Sequence, residues 1–510
     1  MVVPDGTAVA RRTFLRAAGA VAGGMLTCGG CGKSWRTGLK TASAAPNAAE
    51  NFLALEEKIR SGMAAHAIPG VAVGIWDRGV EYVRGFGVLD VDHPVAVDGD
   101  TLFRIGSTTK TFTGTAVMRL MELGKLRLDV PVRTYLPEFT TADPTVGPRV
   151  RVRQLLNHSA GWLGDYLQDF GDGEDALSRY VQGMSDLEQL TPVGEVFAYN
   201  NAAVVAAGRL IEVVTGVPYE HAMRQLVIDP LGLEHSRFFL TDFNTDVTGA
   251  RVATSHNVVA GKPVANPALF ALPRSLNPAG GLISSVRDQL RYARFHLGNG
   301  AALGGQQLLS ARSLVAMRSD PGPGGTIIVE LDGVGVSWLL RPSTQGVRIV
   351  QHGGSWPGQY SGLLLVPERD FALCVFTNSD GGPKLINELV ADDWALQRFA
   401  GVNNLPAVQH ALSPGELAPY EGRYTATVVD TTGTQETSEV QLSGEGGQLA
   451  MTLTEQDEIK RFRLAFYRPD YVLGFDANDE PTHTRLDFLR GSRGDVEWLR
   501  RGGRLYRRHH

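Results

Sequence analysis

The segment Phe103-Arg-Ile-Gly-Ser-Thr-Thr-Lys-Thr-Phe-Thr-Gly114 places a serine and a lysine at the start of a predicted helix. Apolar residues recur at helical spacing from Thr108 to Leu123, and Gly124 ends the pattern. Positions i and i+3 share one helical face, so the Ser107 hydroxyl and the Lys110 ammonium can meet. Backbone N–H groups at a helix N-terminus suit an oxyanion, and a desolvated lysine can act as a base. The segment therefore predicts a nucleophilic Ser107 with Lys110 as its general base.

The composition of the whole chain is that of an ordinary globular protein with several domains. The 510 residues exceed the usual size of one domain, and 43% of them are hydrophobic against 20% charged. The formal net charge of -5 gives no reason to expect a nucleic-acid partner. A Ser-x-x-Lys pair also arises by chance in a chain of this length, so the rest of the sequence has to supply partners for Ser107.

The first residues resemble a targeting segment. Arg11-Arg-Thr-Phe-Leu-Arg16 precedes a short apolar run from Ala17 to Thr27, as in the twin-arginine export signals of bacteria. We therefore predict that residues 1–44 are an export signal and that the protein is periplasmic, bound to the cell envelope or secreted. Lipidation of Cys28 or Cys31 is an alternative fate of this segment, and only in that case do we expect membrane anchoring.

Cysteine usage excludes two kinds of site in the exported protein. Only Cys374 lies beyond the predicted signal, and it falls inside a predicted strand. A disulfide framework and a cysteine-based metal site are therefore excluded. We expect no cofactor and no metal.

Strand patterns lie at both ends of the first 400 residues. Residues 69–76 and 80–85 form a predicted pair, and four short β-rich segments return between 334 and 377. Helical patterns fill the region between them, so we predict one sheet that is split in sequence by a helical insertion. Helices predicted at 50–67 and 385–399 would cover the sheet. The predicted boundaries are a domain over 50–400, its sheet from 50–105 and 330–400, and its helical insertion over 108–325.

The composition changes near Gly401. Residues 401–419 carry prolines and little periodicity and are interpreted as a linker. From 420 to 510 only short alternating segments occur, separated by Gly, Asp and Asn turns, which predicts a small antiparallel β-barrel or sandwich. The arginines near the C-terminus are interpreted as a solvated face: Arg500, Arg501, Arg507 and Arg508.

Two further segments offer partners for Ser107. In Phe197-Ala-Tyr-Asn-Asn201, the Tyr199 phenol can relay a proton, and Asn201 can bond a substrate carbonyl or orient Lys110. In Gln351-His-Gly-Gly-Ser-Trp356, consecutive glycines at a strand end let a substrate lie against the backbone and let an N–H complete an oxyanion hole. Taken alone, each segment is better explained by a structural role. Tyr199 would be a buried tyrosine with a satisfied hydroxyl, and the glycines would form a turn.

Ser-x-x-Lys, Tyr-x-Asn and a strand-edge His-Gly-Gly, in this order, resemble the signature of the penicillin-recognising serine hydrolases, and in particular their class C β-lactamase-like branch. That branch holds esterases, D-alanyl-D-alanine carboxypeptidases and D-aminopeptidases besides β-lactamases. The resemblance covers residues 52–399 and has three supporting segments: Leu155-Leu-Asn-His-Ser-Ala-Gly161, Pro278-Ala-Gly-Gly-Leu-Ile-Ser284 and Ser361-Gly-Leu-Leu-Leu-Val-Pro367. His158, within the first of them, is interpreted as part of a helix end and not as a catalytic group.

The resemblance implies a fold and a set of roles. The fold would be an α/β (α+β) sandwich of the β-lactamase/transpeptidase type, in which an antiparallel sheet flanked by helices lies beside an all-helical region, with an extra C-terminal all-β domain. The implied catalytic residues are Ser107, Lys110 and Tyr199. The implied substrate-binding residues are Asn201, His352, Gly353 and Gly354, and the implied oxyanion hole consists of the backbone N–H groups of Ser107 and Ser355. No cofactor is implied.

One departure from the family pattern concerns the substrate. The Lys-Thr-Gly of β-lactamases is replaced by His352-Gly353-Gly354, which removes a fixed cation for a substrate carboxylate unless Arg348 or another arginine compensates. The Ser-Asp-Asn of class A is also absent. We therefore predict an exported serine hydrolase that cleaves small esters, amides or D-amino-acid peptides through an acyl-enzyme. The alternative is a β-lactamase or a low-turnover penicillin-binding protein that binds cell-wall peptides.

Overall fold

A seven-stranded antiparallel sheet forms the centre of the larger domain in the computed structural model. The structure describes residues 48–243, 251–302, 304–319, 321–455, 458–477 and 480–509, and the predicted export signal at 1–44 lies outside them. The strands in chain order are β1 (Gly70–Asp77), β2 (Val80–Gly87), β3 (Gly333–Val334), β4 (Leu339–Arg341), β5 (Ile349–Trp356), β6 (Gln359–Val366) and β7 (Phe371–Thr377). Their order across the sheet is β2-β1-β7-β6-β5-β4-β3. The predicted antiparallel sheet, split in sequence, is confirmed.

Alternate residues of the central strands are buried on opposite faces of the sheet. In β6, Leu364 and Val366 belong to one hydrophobic cluster, whereas Leu363 and Leu365 belong to another. This is the period-two alternation of a strand whose two faces are both covered. Consequently β6 and β7 are buried along their full length, and their sequences read as unbroken apolar runs. Burial of each large apolar side chain contributes roughly 1.5–3 kcal/mol.

Helices cover both faces of the sheet. Helix α1 (Ala48–Ala65) and the segment Gly382–Ala400 pack on one face, and helix α4 (Val286–Leu297) packs on the other. The single helix predicted at 385–399 is instead interrupted where Asp392 takes an extended conformation. At this interruption the carbonyls of Val390 and Ala391 are bonded by the guanidinium of the buried Arg341, at 2.8 Å for Val390, and so do not depend on helical partners.

The helical insertion packs beside the sheet. Its two long helices, α2 (Thr109–Glu122) and α3 (Asn201–Thr215), pack against each other and are buried along most of their length. Within the described ranges no single helix has the length and apolar character of a membrane span; only α3 together with Tyr219–Ile228 meets both criteria, and these two are bent by 80°. The remaining α-helices are short: Val152–Leu156, Ala176–Gly183, Tyr219–Met223, Asn277–Gly280, Ala311–Ser319, Gly382–Ile386, Asp393–Ala395 and Pro414–Leu417.

The C-terminal region forms a closed antiparallel barrel, as predicted. Its strands are β8 (Gly422–Val429), β9 (Gln435–Glu445), β10 (Gln448–Glu455), β11 (Glu458–Arg468), β12 (Tyr471–Phe475), β13 (Pro481–Arg490), β14 (Val496–Arg501) and β15 (Arg504–His509). Pairing of β8 with β15 closes the barrel, so neither strand is left as an exposed edge. A separate cluster of buried apolar residues, including Tyr424, Leu442 and Phe488, forms the core of this domain.

Two of the terminal arginines, Arg500 and Arg501, are buried, contrary to the sequence interpretation, whereas Arg507 is exposed as that interpretation predicted. Arg500 is 3% exposed and pairs with Asp487 at 3.3 Å, and Arg501 is 8% exposed and pairs with Glu455 at 3.0 Å. Two others also have partners: Arg507 pairs with Glu188 of the larger domain at 2.9 Å, and Arg508 donates to the carbonyl of Glu421 at 2.6 Å. The interpretation was wrong for Arg500 because this end of the barrel packs against the larger domain, where Arg500 donates to the Gly324 carbonyl at 3.0 Å. It was wrong for Arg501 because that side chain bonds Glu455 and Tyr506 within the barrel, which alternation along one strand does not indicate.

Candidate active site

Ser107 lies in a short 3-10 turn, Gly106–Thr108, that leads directly into α2. The Lys110 amino group, on the first turn of α2, lies 2.9 Å from the Ser107 hydroxyl oxygen. The same amino group donates to the carbonyl of Ala279 at 2.6 Å, which fixes it toward the serine. The contact expected from the i, i+3 spacing is therefore present.

The Lys110 side chain is fully buried, and this changes its acidity. Burial holds the pKa of Lys110 well below its ordinary value, the positive charge of Arg504 lowers it further, and the negative charge of Asp165 opposes both effects. A lysine with such a pKa is uncharged over more of the neutral range and has a lone pair to accept a proton. The geometry and the charge state both suit a general base.

Tyr199 lies between three neighbours that fix its ring. The His158 ring stacks on it with centroids 4.3 Å apart, the Arg504 guanidinium lies 4.6 Å from its centroid, and the Lys110 amino group lies 5.1 Å from it. Burial, only partly opposed by Arg504 and by the Ser107 hydroxyl, raises the pKa of Tyr199 to about 12. Tyr199 is thus a protonated phenol near neutral pH, so Lys110 is the better base of the two.

The segment before α3 is held by its own hydrogen bonds. Asn200 caps the helix by accepting the Ala203 N–H at 2.7 Å, and its side chain donates to the Trp162 carbonyl at 2.8 Å. The Asn200 N–H in turn donates to Nδ1 of His158 at 3.1 Å. His158 therefore belongs to the site and supports Tyr199; the helix-end interpretation understated it, although its place in the segment Leu155–Gly161 was a usable signal.

Asn201 is the first residue of α3 and lines the cavity beside Ser107. Its amide donates to the Asp165 carboxylate at 2.6 Å. Of the two sequence-based alternatives, orientation of Lys110 finds no hydrogen bond among the described residues, while the cavity position is compatible with binding a substrate carbonyl. Asp165 itself carried no sequence signal.

Two glycines let the serine turn pack directly against strand β5. A Cβ on Gly354 would lie 1.8 Å from the Ile105 carbonyl oxygen, and a Cβ on Gly106 would lie 2.6 Å from the Ser355 nitrogen. Gly106 also has a φ of +51°, which favours glycine. The backbones of Ser107 and Ser355, the two predicted oxyanion donors, therefore belong to segments in direct contact.

Gly354→Ala is expected to reduce kcat/KM about 100-fold, because its Cβ must displace the Ile105–Ser107 turn from β5. Gly415→Ala is the control, because nothing lies within 4 Å of its Cβ and Gly415 is not among the residues that line the cavity. Ester hydrolysis by the two purified variants, with circular dichroism to establish folding, measures the difference. Equal activities would contradict this account of the glycine pair.

His352 does not supply the cation of the family's Lys-Thr-Gly pattern. Its side chain is buried, its Nδ1 hydrogen-bonds with the Gly353 carbonyl at 2.7 Å, and burial together with the charge of Lys110 lowers its pKa to about 3. His352 is therefore neutral at physiological pH. Arg348, the named candidate for compensation, pairs with Asp332 at 2.6 Å and is not among the residues that line the cavity.

A cavity of about 210 Å³ opens beside Ser107 and has a largely apolar wall. Most of the wall comes from the larger domain, and Gly502 and Arg504 come from the barrel. Among the described residues that line the cavity, Arg504 is the only one with a charged side chain, and none is acidic. Its apolar lining includes Leu167, Leu272, Leu276, Ile327, Ile328, Val329, Leu339, Trp356, Ile386 and Val390. Among the residues that the structure describes, no group of three or more His, Cys, Asp or Glu side chains is placed to hold a metal ion.

Comparisons with known proteins agree with this geometry. A family model described as Beta-lactamase matches residues 55–393. Penicillin-binding protein 4 of Amycolatopsis lactamdurans is 34% identical over 374 residues, which cover 72% of this chain and 96% of that protein.

Two crystal structures of SurE are similar to the chain over a longer span. Both are 26% identical and cover 90% of this chain and 100% of theirs; the TM-score is 0.69 for one and 0.68 for the other, which is described as SurE with D-Leu. Because the family model matches well over half of the residues, and because the relative from Amycolatopsis is matched along nearly its full length, the chain belongs to the beta-lactamase family, the penicillin-recognising serine hydrolases predicted from its sequence.

Proposed function

We propose that the protein is an exported serine hydrolase that cleaves small esters or amides, including D-amino-acid peptides, through an acyl-enzyme on Ser107. The observation that carries the proposal is the 2.9 Å contact between a buried Lys110 of lowered pKa and the Ser107 hydroxyl, at the wall of a cavity that opens beside the serine. A buried lysine that served only the fold would have no reason to lie against a serine that faces a cavity.

Acylation begins when Ser107 Oγ attacks the substrate carbonyl carbon and Lys110 accepts the hydroxyl proton. The backbone N–H groups of Ser107 and Ser355 stabilise the resulting oxyanion. The protonated Tyr199 donates its proton to the leaving alkoxide or amine and regains one from the Lys110 ammonium. The bond between the carbonyl carbon and the leaving group then breaks, and the acyl group stays on Ser107.

Deacylation repeats these steps with water as the nucleophile. Lys110, again uncharged, accepts a proton from the attacking water, and the proton returns to Ser107 Oγ as the ester bond breaks. The products are a carboxylic acid and the free enzyme. Asn201, His352, Gly353 and Gly354 line the cavity where they can contact the substrate, and Asn201 is placed to bind its carbonyl.

The residues that line the cavity favour a substrate with an apolar acyl group. A free ammonium group would find no carboxylate among the lining residues and would lie in the same cavity as the Arg504 guanidinium. An apolar side chain, in contrast, would be buried against residues such as Leu272, Ile327 and Ile386. The presence of D-leucine in a structure of the relative SurE supports the apolar side chain of a D-amino acid, in an acyl group without a free ammonium, as one such group.

Substrate comparison tests this proposal. We expect kcat/KM for p-nitrophenyl esters to rise about fourfold per methylene from acetyl toward hexanoyl, following a transfer free energy of about 0.8 kcal/mol per CH₂. We also expect N-acetyl-D-leucine p-nitroanilide, which carries no free ammonium group, to exceed its L-isomer and a chromogenic cephalosporin to be hydrolysed most slowly. A preference for the acetyl ester, with the cephalosporin fastest, would instead indicate a small-pocket β-lactamase.

A second candidate function is low-turnover binding of cell-wall peptides or β-lactams. The observation that favours it is the 34% identity with a relative named Penicillin-binding protein 4. This candidate predicts that intact mass spectrometry finds a stable adduct of benzylpenicillin on Ser107 while no substrate of the panel gives multiple turnovers. Repeated turnover of any panel substrate excludes it.

Export remains part of the proposal and rests on Arg11, Arg12 and the apolar run that follows them. Cell fractionation of a bacterial host tests it: the protein should reach the periplasm or the cell envelope, and Arg11→Lys with Arg12→Lys should retain it in the cytoplasm.

A further inference from the structure

The hairpin that joins the last two barrel strands reaches the active-site cavity. Gly502 and Arg504, at this β14–β15 turn, line the cavity together with Ser107. The carbonyl of Gly503 accepts the backbone N–H of Tyr199 at 2.8 Å. A Cβ on Gly503 would lie 3.0 Å from the Tyr199 Cβ, so the turn packs closely against the residue that carries the phenol.

Arg504 connects this hairpin to three groups of the site. Its Nε donates to Asp165 Oδ2 at 2.9 Å and its Nη2 to Asp165 Oδ1 at 3.3 Å, while its guanidinium lies over the Tyr199 ring. Asp165 in turn accepts the Asn201 amide at 2.6 Å. A single barrel side chain is thus linked to both Tyr199 and Asn201, which stand on the segment that faces Ser107.

The contacts of Arg504 argue against a direct grip on substrate. Its two donors toward Asp165 form a fork-like pair, and Nη1 donates to the Gly502 carbonyl at 2.8 Å. The neighbouring carboxylate therefore compensates its charge. Arg504 lines the cavity, but because its charge is paired with Asp165 it differs from the unpaired lysine of a Lys-Thr-Gly pattern.

We propose that Arg504 is a positioning residue, which with Asp165 fixes the Tyr199 ring and the Asn201 amide beside Ser107, so that the barrel completes the active site. The inference rests on the proposed acyl-enzyme reaction. Of the other buried pairs of this region, Arg501 and Glu455 both belong to the barrel, and Arg500 and Asp487 bond Gly324 and Thr326 of the larger domain, neither of which is a predicted site residue. The pair of Arg504 and Asp165 instead joins the barrel to the catalytic segment.

The pair also acts on Lys110 through its charges. The groups that face Lys110 are Arg504, Asp165, Tyr199, His158 and His352. Burial keeps both histidines neutral, with the pKa of His158 well below its ordinary value and that of His352 at about 3, and Tyr199 is protonated. Only Arg504 and Asp165 therefore carry full charge near Lys110, the first lowering its pKa and the second raising it.

The sign of the pH effect follows from this arrangement. Without Arg504 the carboxylate of Asp165 is uncompensated and raises the pKa of Lys110. Because Lys110 must be uncharged to act as a base, the acidic limb of the kcat/KM profile then moves to higher pH. Without the charge of Asp165 the limb moves to lower pH.

The test uses the full-length enzyme, one p-nitrophenyl ester and pH profiles of kcat/KM. We expect Arg504→Ala to lower kcat/KM about 10- to 100-fold near pH 7, since small misplacements of reacting groups have effects of this size. We also expect it to move the acidic limb of the profile to higher pH. Arg504→Lys should recover part of the rate and return the acidic limb of the kcat/KM profile to its wild-type pH. Asp165→Asn, which keeps an acceptor for the Asn201 amide, should move that limb to lower pH. Arg507→Ala is the matched control, because Arg507 lies on the same strand and pairs with Glu188 across the same interface.

Three outcomes overturn the inference. An unchanged rate and profile in Arg504→Ala would leave Arg504 without a role in the reaction. A lower rate with an unmoved limb, matched by Arg507→Ala, would assign it a structural role. An effect confined to KM for substrates with a free carboxylate would make it a binding residue. Failure of the wild-type enzyme to form a Ser107 adduct would instead overturn the proposed function, and melting curves of every variant separate these outcomes from unfolding.

Discussion

Ser107→Ala is expected to lower kcat on p-nitrophenyl esters about 10⁴-fold or more, since the nucleophile of a serine hydrolase acts as a unit with its base. The fold should survive, because the serine lies at the surface of a cavity and its hydroxyl interacts only with two other groups of the site, Lys110 at 2.9 Å and Tyr199, among the residues that the structure describes. Stopped-flow hydrolysis and intact mass spectrometry after a serine-reactive fluorophosphonate give the two measurements. The wild-type protein should gain one adduct mass that the alanine variant lacks.

The control for this prediction is Ser185→Ala. Ser185 bonds only to the exposed Asp186 carboxylate at 3.3 Å and is not among the residues that line the cavity. It should keep wild-type activity and the adduct. Turnover by purified Ser107→Ala within tenfold of wild type would reject the acyl-enzyme mechanism, and an adduct on a peptide other than the one containing Ser107 would locate a different nucleophile.

Local spacing was enough to find the residues that stand on one short segment. Ser107 and Lys110 are three residues apart where a 3-10 turn leads into α2, and Tyr199 and Asn201 stand two residues apart where α3 begins, so each pair is positioned by the backbone it shares. The split sheet could also be predicted, because strand and helix patterns differ in period and the two ends of the domain read as strands. The closed barrel followed from its short alternating strands.

The Arg504–Asp165 pair could not be predicted, because its members lie 339 positions apart and neither belongs to a motif. An arginine on an alternating strand reads as solvent-facing, and the burial of this end of the barrel depends on how two domains pack. The neutrality of His352 was expected from its residue type. The lowering of the His352 pKa to about 3 depends on burial and on the nearby charge of Lys110, and both follow only from the three-dimensional arrangement.

Lys110→Met is expected to lower kcat/KM by about 10²- to 10⁴-fold, the usual contribution of a general base. Methionine has nearly the length of lysine and suits a fully buried position, so the same substitution should raise the melting temperature. The reason is that unfolded Lys110 is protonated near pH 7, whereas burial lowers its pKa in the folded protein and disfavours that charge. Folding therefore has to release a proton or bury a cation, and methionine removes either penalty.

The pH dependence of stability distinguishes this explanation from improved packing. Between the lowered pKa of folded Lys110 and the ordinary value of about 10.4, the unfolded chain binds one more proton at this position, so wild-type stability rises by up to about 1.4 kcal/mol per pH unit from this group. Lys110→Met lacks that contribution, and its advantage over wild type should shrink as pH rises. Denaturant unfolding at several pH values measures the gap, and an advantage that stays constant with pH would favour packing.

Compared with Lys110→Met, Lys110→Arg should lose as much activity but should lower the stability of the fold instead of raising it. A guanidinium stays protonated at accessible pH, so it cannot accept the Ser107 proton, and it adds a permanent charge in the same buried site as Arg504. We expect activity as low as that of Lys110→Met but a lower melting temperature. If Lys110→Met retained wild-type turnover with an unmoved acidic limb, another group would have to be the base; the high pKa of Tyr199, about 12, makes the phenol a poor substitute near neutral pH.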